Sequence, residues 1–142
     1  MKPNYNWNGK TVLIVEDDDS SFLYAAELIR SYNCKTIRSK SGLDSFFQSM
    51  SFPIPDLIIM DIKLPELSGY DAIRLIKKYQ PQIPIIALTA CAMIEQKRQC
   101  YDAGCDAYLT KPILPIDLLI NINQFIGANV LENEYSIIAK PN

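Results

Sequence analysis

Residues 56–73 read DLIIMDIKLPELSGYDAI. After one acid, the apolar run to Met60 is long enough for a strand and too short for a helix. Asp61 follows it at once. Pro65 and Gly69 mark a loop, and Tyr70–Tyr79 then reads as a helix with Ile73, Ile76 and Tyr79 aligned. A strand that is apolar throughout, with no polar alternation, predicts burial on both faces. That is the habit of a parallel sheet between helix layers.

The same unit recurs on either side. Upstream, TVLIV (Thr11–Val15) reads as a buried strand. Ser20–Tyr32 reads as a helix with Phe22, Ala25, Ala26 and Ile29 on one face. Lys35–Arg38 is a short strand, and Gly42–Met50 a weak helix with Leu43, Phe46, Phe47 and Met50 on one side. Downstream, Ile85–Leu88 is a strand and Ala92–Asp102 a helix of poor amphipathicity ending at Gly104. Asp106–Leu109 is the last strand. Leu118, Leu119, Ile122, Phe125 and Ile126 mark a final helix before Gly127. The order βαβαβαβαβα predicts an α/β fold, a doubly wound parallel five-stranded sheet with right-handed crossovers.

The chain has 142 residues, enough for one domain of ordinary size. Residues 1–10 read as a flexible leader or linker, 11–127 as the domain and 128–142 as a C-terminal tail. A hydrophobic content of 49% supplies a core without staples. The net charge of −2 leaves no basic field for nucleic acid or for a membrane surface. There is no histidine, which removes Ser-His-Asp triads and histidine metal ligands. The four cysteines, Cys34, Cys91, Cys100 and Cys105, lack CxxC spacing and read as reduced packing residues. No signal peptide and no bilayer-length apolar run is present, so a cytoplasmic location is expected.

Open parallel sheets bind ligands beyond the carboxyl ends of their strands. There stand Glu16, Asp17, Asp18 and Asp19 after the first strand, Asp61 after the third, Thr89 after the fourth, and Thr110, Lys111 and Pro112 after the fifth. Crowded carboxylates repel by about 4 kcal/mol per close pair at intermediate dielectric. A divalent cation relieves that repulsion, and hard oxygen ligands suit Mg²⁺. A carboxylate nucleophile beside a lysine and a hydroxyl is a constellation for phosphoryl transfer.

The stretches VLIVEDD, DLIIMDIKLPELSGYDAI, IPIIALTA and GCDAYLTKPI together resemble the receiver domain of two-component response regulators, from about Thr11 to Ile126. The resemblance implies a flavodoxin-like (βα)5 fold with strand order 2-1-3-4-5. It implies that Asp61 is the phosphoacceptor, and that Glu16, Asp17, Asp61 and the backbone carbonyl of Lys63 hold Mg²⁺. It further implies that Thr89 is the switch hydroxyl and that small Ala90 lets the backbone approach the phosphoryl group. Lys111 bonds that group, the Lys111–Pro112 peptide is cis, and Tyr108 is the aromatic switch residue. The implied donor is a histidine kinase or histidine phosphotransfer protein. The implied output face is the fourth helix, fifth strand and fifth helix, through which a homodimer is an expectation.

Such a domain turns over no separate substrate, so the chain is not expected to be an enzyme. The start GKTVLIVEDD is also similar to the C-terminal receiver of hybrid histidine kinases. The alternative function is a receiver-like docking module that is never phosphorylated. A haloacid dehalogenase-type hydrolase needs an aspartate at the position of Lys63, and a flavodoxin-type cofactor binder needs a phosphate-cradling loop where EDDD stands. The Lys63 side chain either reaches over the site or is an ordinary solvated lysine. Asp18 and Asp19 read as acids at a helix start, with Asp19 or Ser20 as its N-cap.

Overall fold

The computed structural model describes residues 2–128. Five strands form one parallel sheet: β1 (Thr11–Val15), β2 (Lys35–Ser39), β3 (Leu57–Asp61), β4 (Ile85–Thr89) and β5 (Ala107–Thr110). Their spatial order is β2-β1-β3-β4-β5. The helices are α1 (Asp19–Arg30), α2 (Gly42–Ser49), α3 (Gly69–Tyr79), α4 (Ile94–Ala103) and α5 (Pro115–Ile126). The reversal of strand order lies between β1 and β3, so their carboxyl ends flank the crevice where this architecture binds ligands.

The two-residue period of a strand sorts its side chains into two cores. Val12, Ile14, Leu57, Ile59, Ile86 and Leu88 face α1 and α5 with Ala26, Ile29, Leu118 and Ile122. Leu13, Val15, Ile58, Met60, Ile85 and Ala87 face the other layer with Ala72, Ile73, Ile76 and Cys100. Strands β1, β3 and β4 are buried at every position, and this double burial produced their unbroken apolar sequences.

The segment before β1 differs from the flexible leader expected over residues 1–10. Trp7 is 1% exposed. Its backbone N–H donates to the Tyr32 carbonyl (2.9 Å) and its indole Nε1 to Asn123 Oδ1 (2.9 Å). Its ring lies 5.1 Å from that of Tyr32 and stacks on Tyr5 at 5.9 Å. A polar-looking segment thus closes the lower end of the α1/α5 core by burying one large aromatic. Of the expected tail 128–142, all but Ala128 lies outside the described residues.

Helix α2 turns the other way round from its hydrophobic pattern. The residues against the domain are Gly42, Ser45 and Ser49, while Leu43, Phe47 and Met50 are exposed. Close approach is the reason: a Cβ at Gly42 would collide with the Leu67 carbonyl. The two serine hydroxyls are satisfied within the helix, on the carbonyls of Gly42 and Phe46 at 2.6 Å each. Small residues therefore take the inner face, and of the expected apolar set only Phe46 turns partly inward.

Helix α1 begins one residue earlier than Ser20, and its N-cap is Asp18, where Asp19 or Ser20 was expected. The Asp18 carboxylate accepts the Ser21 N–H at 2.8 Å. Among the described residues, no helix is long and apolar enough to cross a membrane.

Candidate functional site

Asp61 is the last residue of β3 and Glu16 the first after β1; they are 7% and 3% exposed. Asp17 follows at the solvent edge. One carboxylate oxygen from each of the three lies within 4.8 Å of the others. Lys111, just beyond β5, reaches across to them. Its Nζ is 3.0 Å from Glu16 Oε1 and 3.4 Å from Asp61 Oδ2. The Lys63 N–H donates to Asp61 Oδ1 at 3.2 Å, and the Asp18 N–H to Glu16 Oε2 at 3.3 Å. The Lys63 side chain is exposed. An open cleft of about 490 Å³ is lined by Glu16, Asp17, Asp61, Lys63, Thr89, Ala90 and Lys111. Residues separated by up to 95 positions meet because every one follows, or ends, a strand at the same sheet edge.

Burial raises the Glu16 carboxyl above its ordinary range, and the neighbouring Asp61 pushes the same way; Lys111 opposes both without cancelling them. On Lys111, burial alone would lower the amine. Its hydrogen bond to Glu16 and the charge of Asp61 outweigh that and raise it. The crowded oxygens, with charge that one lysine leaves incompletely balanced, fit a hard divalent cation. Glu16, Asp17 and Asp61 are the residues that would hold it.

A pH dependence follows. With its pKa raised, folded Glu16 retains a proton that the unfolded chain releases near its ordinary pKa of about 4.3. Without divalent cation, stability from this group therefore falls as pH rises from that value through the raised folded one. At neutral pH, Mg²⁺ at a hundredfold excess over its Kd adds about 2.7 kcal/mol. That corresponds to a melting temperature higher by on the order of 5–10 °C. Scanning calorimetry with and without Mg²⁺, on the wild type and on Asp17→Asn, checks this; the substitution removes most of the increment.

Two contributors were not visible in the sequence. Arg38, on β2, donates from Nε to the Glu16 carbonyl (3.2 Å) and from Nη2 to the Asp17 carbonyl (3.4 Å). It also pairs with Asp19 (2.8 Å) and lies 4.4 Å over the Phe22 ring. It therefore pins the acidic turn from the neighbouring strand. The second is the backbone of Cys91. Its N–H donates to Thr89 Oγ1 at 3.1 Å, and its carbonyl accepts the Tyr108 hydroxyl. The backbone of one residue thus joins the hydroxyl at the end of β4 to the aromatic on β5. Tyr108 packs into the core facing α3 and α4, the sheet face opposite to Leu109. The Lys111–Pro112 peptide is cis, and the Lys111 N–H donates to the Thr89 carbonyl at 2.7 Å.

The family model described as the response regulator receiver domain matches residues 12–123. The chain belongs to this family. Among curated proteins, the receiver domain is 37% identical over 120 residues to the polar-differentiation response regulators DivK of Brucella ovis and Brucella abortus, covering 83% of this chain and 97% of theirs. Among solved structures, it is similar to the receiver domain of a sensor histidine kinase of Pseudomonas aeruginosa PAO1. Identity there is 31% and the TM-score 0.76, covering 83% of this chain and 98% of that one. That structure has a magnesium ion coordinated in its active-site cleft. A second neighbour is the BeF3-activated receiver domain of DrrB from Thermotoga maritima, 28% identical with a TM-score of 0.74, covering 82% and 96% of the two chains. The 2-1-3-4-5 strand order expected from the sequence is the one found in this receiver domain.

Proposed function

We propose that this receiver domain is a phosphoacceptor switch in a two-component or phosphorelay system, with Asp61 as the acceptor. The observation that carries the reading is the Lys111 amine 3.4 Å from the Asp61 carboxylate, beside the Glu16–Asp17–Asp61 oxygens gathered within 4.8 Å. Glu16, Asp17, Asp61 and the Lys63 carbonyl hold Mg²⁺ in this reading. When bound, Mg²⁺ supplies positive charge to the acidic cluster and to the phosphoryl oxygens.

An Asp61 oxygen attacks the phosphorus in line with the leaving group, and the Lys111 amine takes up charge on the equatorial oxygens. Burial of Asp61 keeps bulk water off its inner side. Thr89 exchanges its hydrogen bond with the Cys91 N–H for one to a phosphoryl oxygen. Ala90, with no side chain beyond Cβ, leaves the backbone free to approach.

Phosphorylation adds about −1.5 to −2 charges. The Cys91 backbone passes the Thr89 movement to Tyr108, and the face of α4, β5 and α5 changes shape. Moving from nearly all off to nearly all on takes about 5.5 kcal/mol of preference between the two states. Met93, Ile94 and Tyr101 expose apolar surface on the α4 side of that face, which also suits contact with a second copy.

Receiver domains work with histidine kinases or phosphotransfer proteins. For this chain we place such a donor over α1 and the β5–α5 loop. A hollow of about 460 Å³ runs there from Lys111 past Tyr24 and Ile113 to Leu118, and Leu23, Leu114 and Ile116 stand exposed nearby. The domain catalyses only its own phosphorylation and dephosphorylation, in the cytoplasm. Incubation with a small phosphodonor and Mg²⁺, followed by intact mass, tests the function. One added phosphoryl group supports it; an unchanged mass would favour the unphosphorylated docking module.

The coupling through Cys91 has its own test. Tyr108→Phe removes the donor to the Cys91 carbonyl at a cost of about 1 kcal/mol. Urea unfolding reads that loss. Hydrogen exchange over residues 89–93 reads the loosened loop, and unchanged exchange there would argue against the link.

A further inference from the structure

Helix α4 is attached to the sheet mainly by two buried side chains, Cys100 and Ala103, and its N-cap, Met93, makes no side-chain hydrogen bond. Its C-terminus carries the fastening. Gly104 adopts φ 114°, the left-handed conformation that glycine tolerates. The Gly104 N–H donates to the Tyr101 carbonyl (3.0 Å) and the Cys105 N–H to the Cys100 carbonyl (3.1 Å). These two bonds define a Schellman cap in which residues 100 and 105 hold the positions whose side chains touch. Both are cysteines, 0% and 6% exposed, and the cap sets their side chains against each other. Tyr70 packs against the same core from α3.

We propose that Cys100 and Cys105 are a redox modification site, which a hydroperoxide converts into a disulfide locking the C-terminal end of α4. The cap fits this product. Its outer hydrogen bond holds the backbones of residues 100 and 105 side by side, and a disulfide needs Cα atoms only about 4.4–6.8 Å apart. The thiols are unequal. The neighbouring Cys105 lowers the Cys100 pKa, and Cys100 together with burial raises that of Cys105. Cys100 is the attacking sulfur once the lightly held end of α4 opens and exposes it.

Its thiolate displaces alkoxide, or hydroxide, from the O–O bond and becomes a sulfenic acid; the leaving oxygen takes the thiol proton. The Cys105 thiol then gives up its proton. The Cys105 sulfur attacks Cys100, and hydroxide leaves with that proton as water. Two thiols and one hydroperoxide give one disulfide, one water and one alcohol, or a second water from hydrogen peroxide. Neither other cysteine is placed for this. Cys34 lies in the opposite core, its thiol pushed up to about 11 by burial, and Cys91 stands at the cleft.

The bridge itself does not depend on Asp61. Its consequence, a restrained α4 that answers phosphorylation poorly, rests on the switch reading above. The test uses the full chain without phosphodonor. It is treated with hydrogen peroxide, then denatured and alkylated. Two of the four thiols should escape labelling, with a loss of two hydrogens mapped between Cys100 and Cys105 and reversed by dithiothreitol. Amide exchange in α4 should slow about tenfold or more. Cys105→Ala should yield no bridge and a sulfenic acid at Cys100 that dimedone traps. Labelling of all four thiols, or a bridge that includes Cys34 or Cys91, would overturn the proposal.

Discussion

Asp61→Asn should take up no phosphoryl group under conditions in which the wild type gains one, a loss of rate of at least about 10³-fold, or roughly 4 kcal/mol in barrier. The substitution keeps the shape of the side chain but replaces an ionised oxygen nucleophile with an amide oxygen. It also removes one of the two influences that raise the Glu16 pKa. The metal-free variant should accordingly be more stable than the metal-free wild type near neutral pH, and should gain less from Mg²⁺. Intact mass and calorimetry read the two effects separately. A chelator should prevent the wild-type adduct. An adduct that persisted in Asp61→Asn would move the acceptor to another carboxylate, with Glu16 and Asp17 beside it, and would sink the assignment.

Trp7→Ala should cost about 3–5 kcal/mol, the range for deleting a buried large aromatic. Against a total stability of about 5–15 kcal/mol that is a severe loss. The melting temperature should fall by on the order of 10–20 °C. The cavity opens where Tyr5, Tyr32 and Asn123 converge, and Asn123 loses the indole donor. Trp7→Phe should retain most of the packing and lose about 1 kcal/mol with that hydrogen bond. Urea unfolding of the three proteins gives the comparison. A loss below about 1 kcal/mol for Trp7→Ala would return residues 1–10 to the status of a leader.

The contrast between Trp7 and the strands shows what the sequence made legible. Strands β1, β3 and β4 were readable because double burial leaves no polar alternation, and their spacing put Glu16, Asp17, Asp61, Thr89 and Lys111 at one edge. Trp7 was hidden in a polar decapeptide; its alternation with Tyr5 was the available signal. Helix α2 misled for a physical reason: apolar side chains go inward only where there is room, and the Gly42–Leu67 approach leaves room for serine hydroxyls alone. The contacts of Arg38 and Cys91 run through backbone carbonyls and amides, which every residue carries. No side-chain pattern announces them. The cysteine pair read as packing until the left-handed Gly104 turned residues 100 and 105 toward each other.

The chain has a single tryptophan, and it sits before β1, at the sheet edge opposite the acidic cleft. A five-residue strand of roughly 16 Å separates the two ends. Intrinsic fluorescence excited at the indole should be blue-shifted in the native state, move sharply red on denaturation, and stay nearly flat while cations or phosphodonors are titrated in. The molecule thus carries an optical gauge of global unfolding that is almost blind to what happens at its working end. Chemical events at the cleft can then be followed by other probes without that baseline drifting.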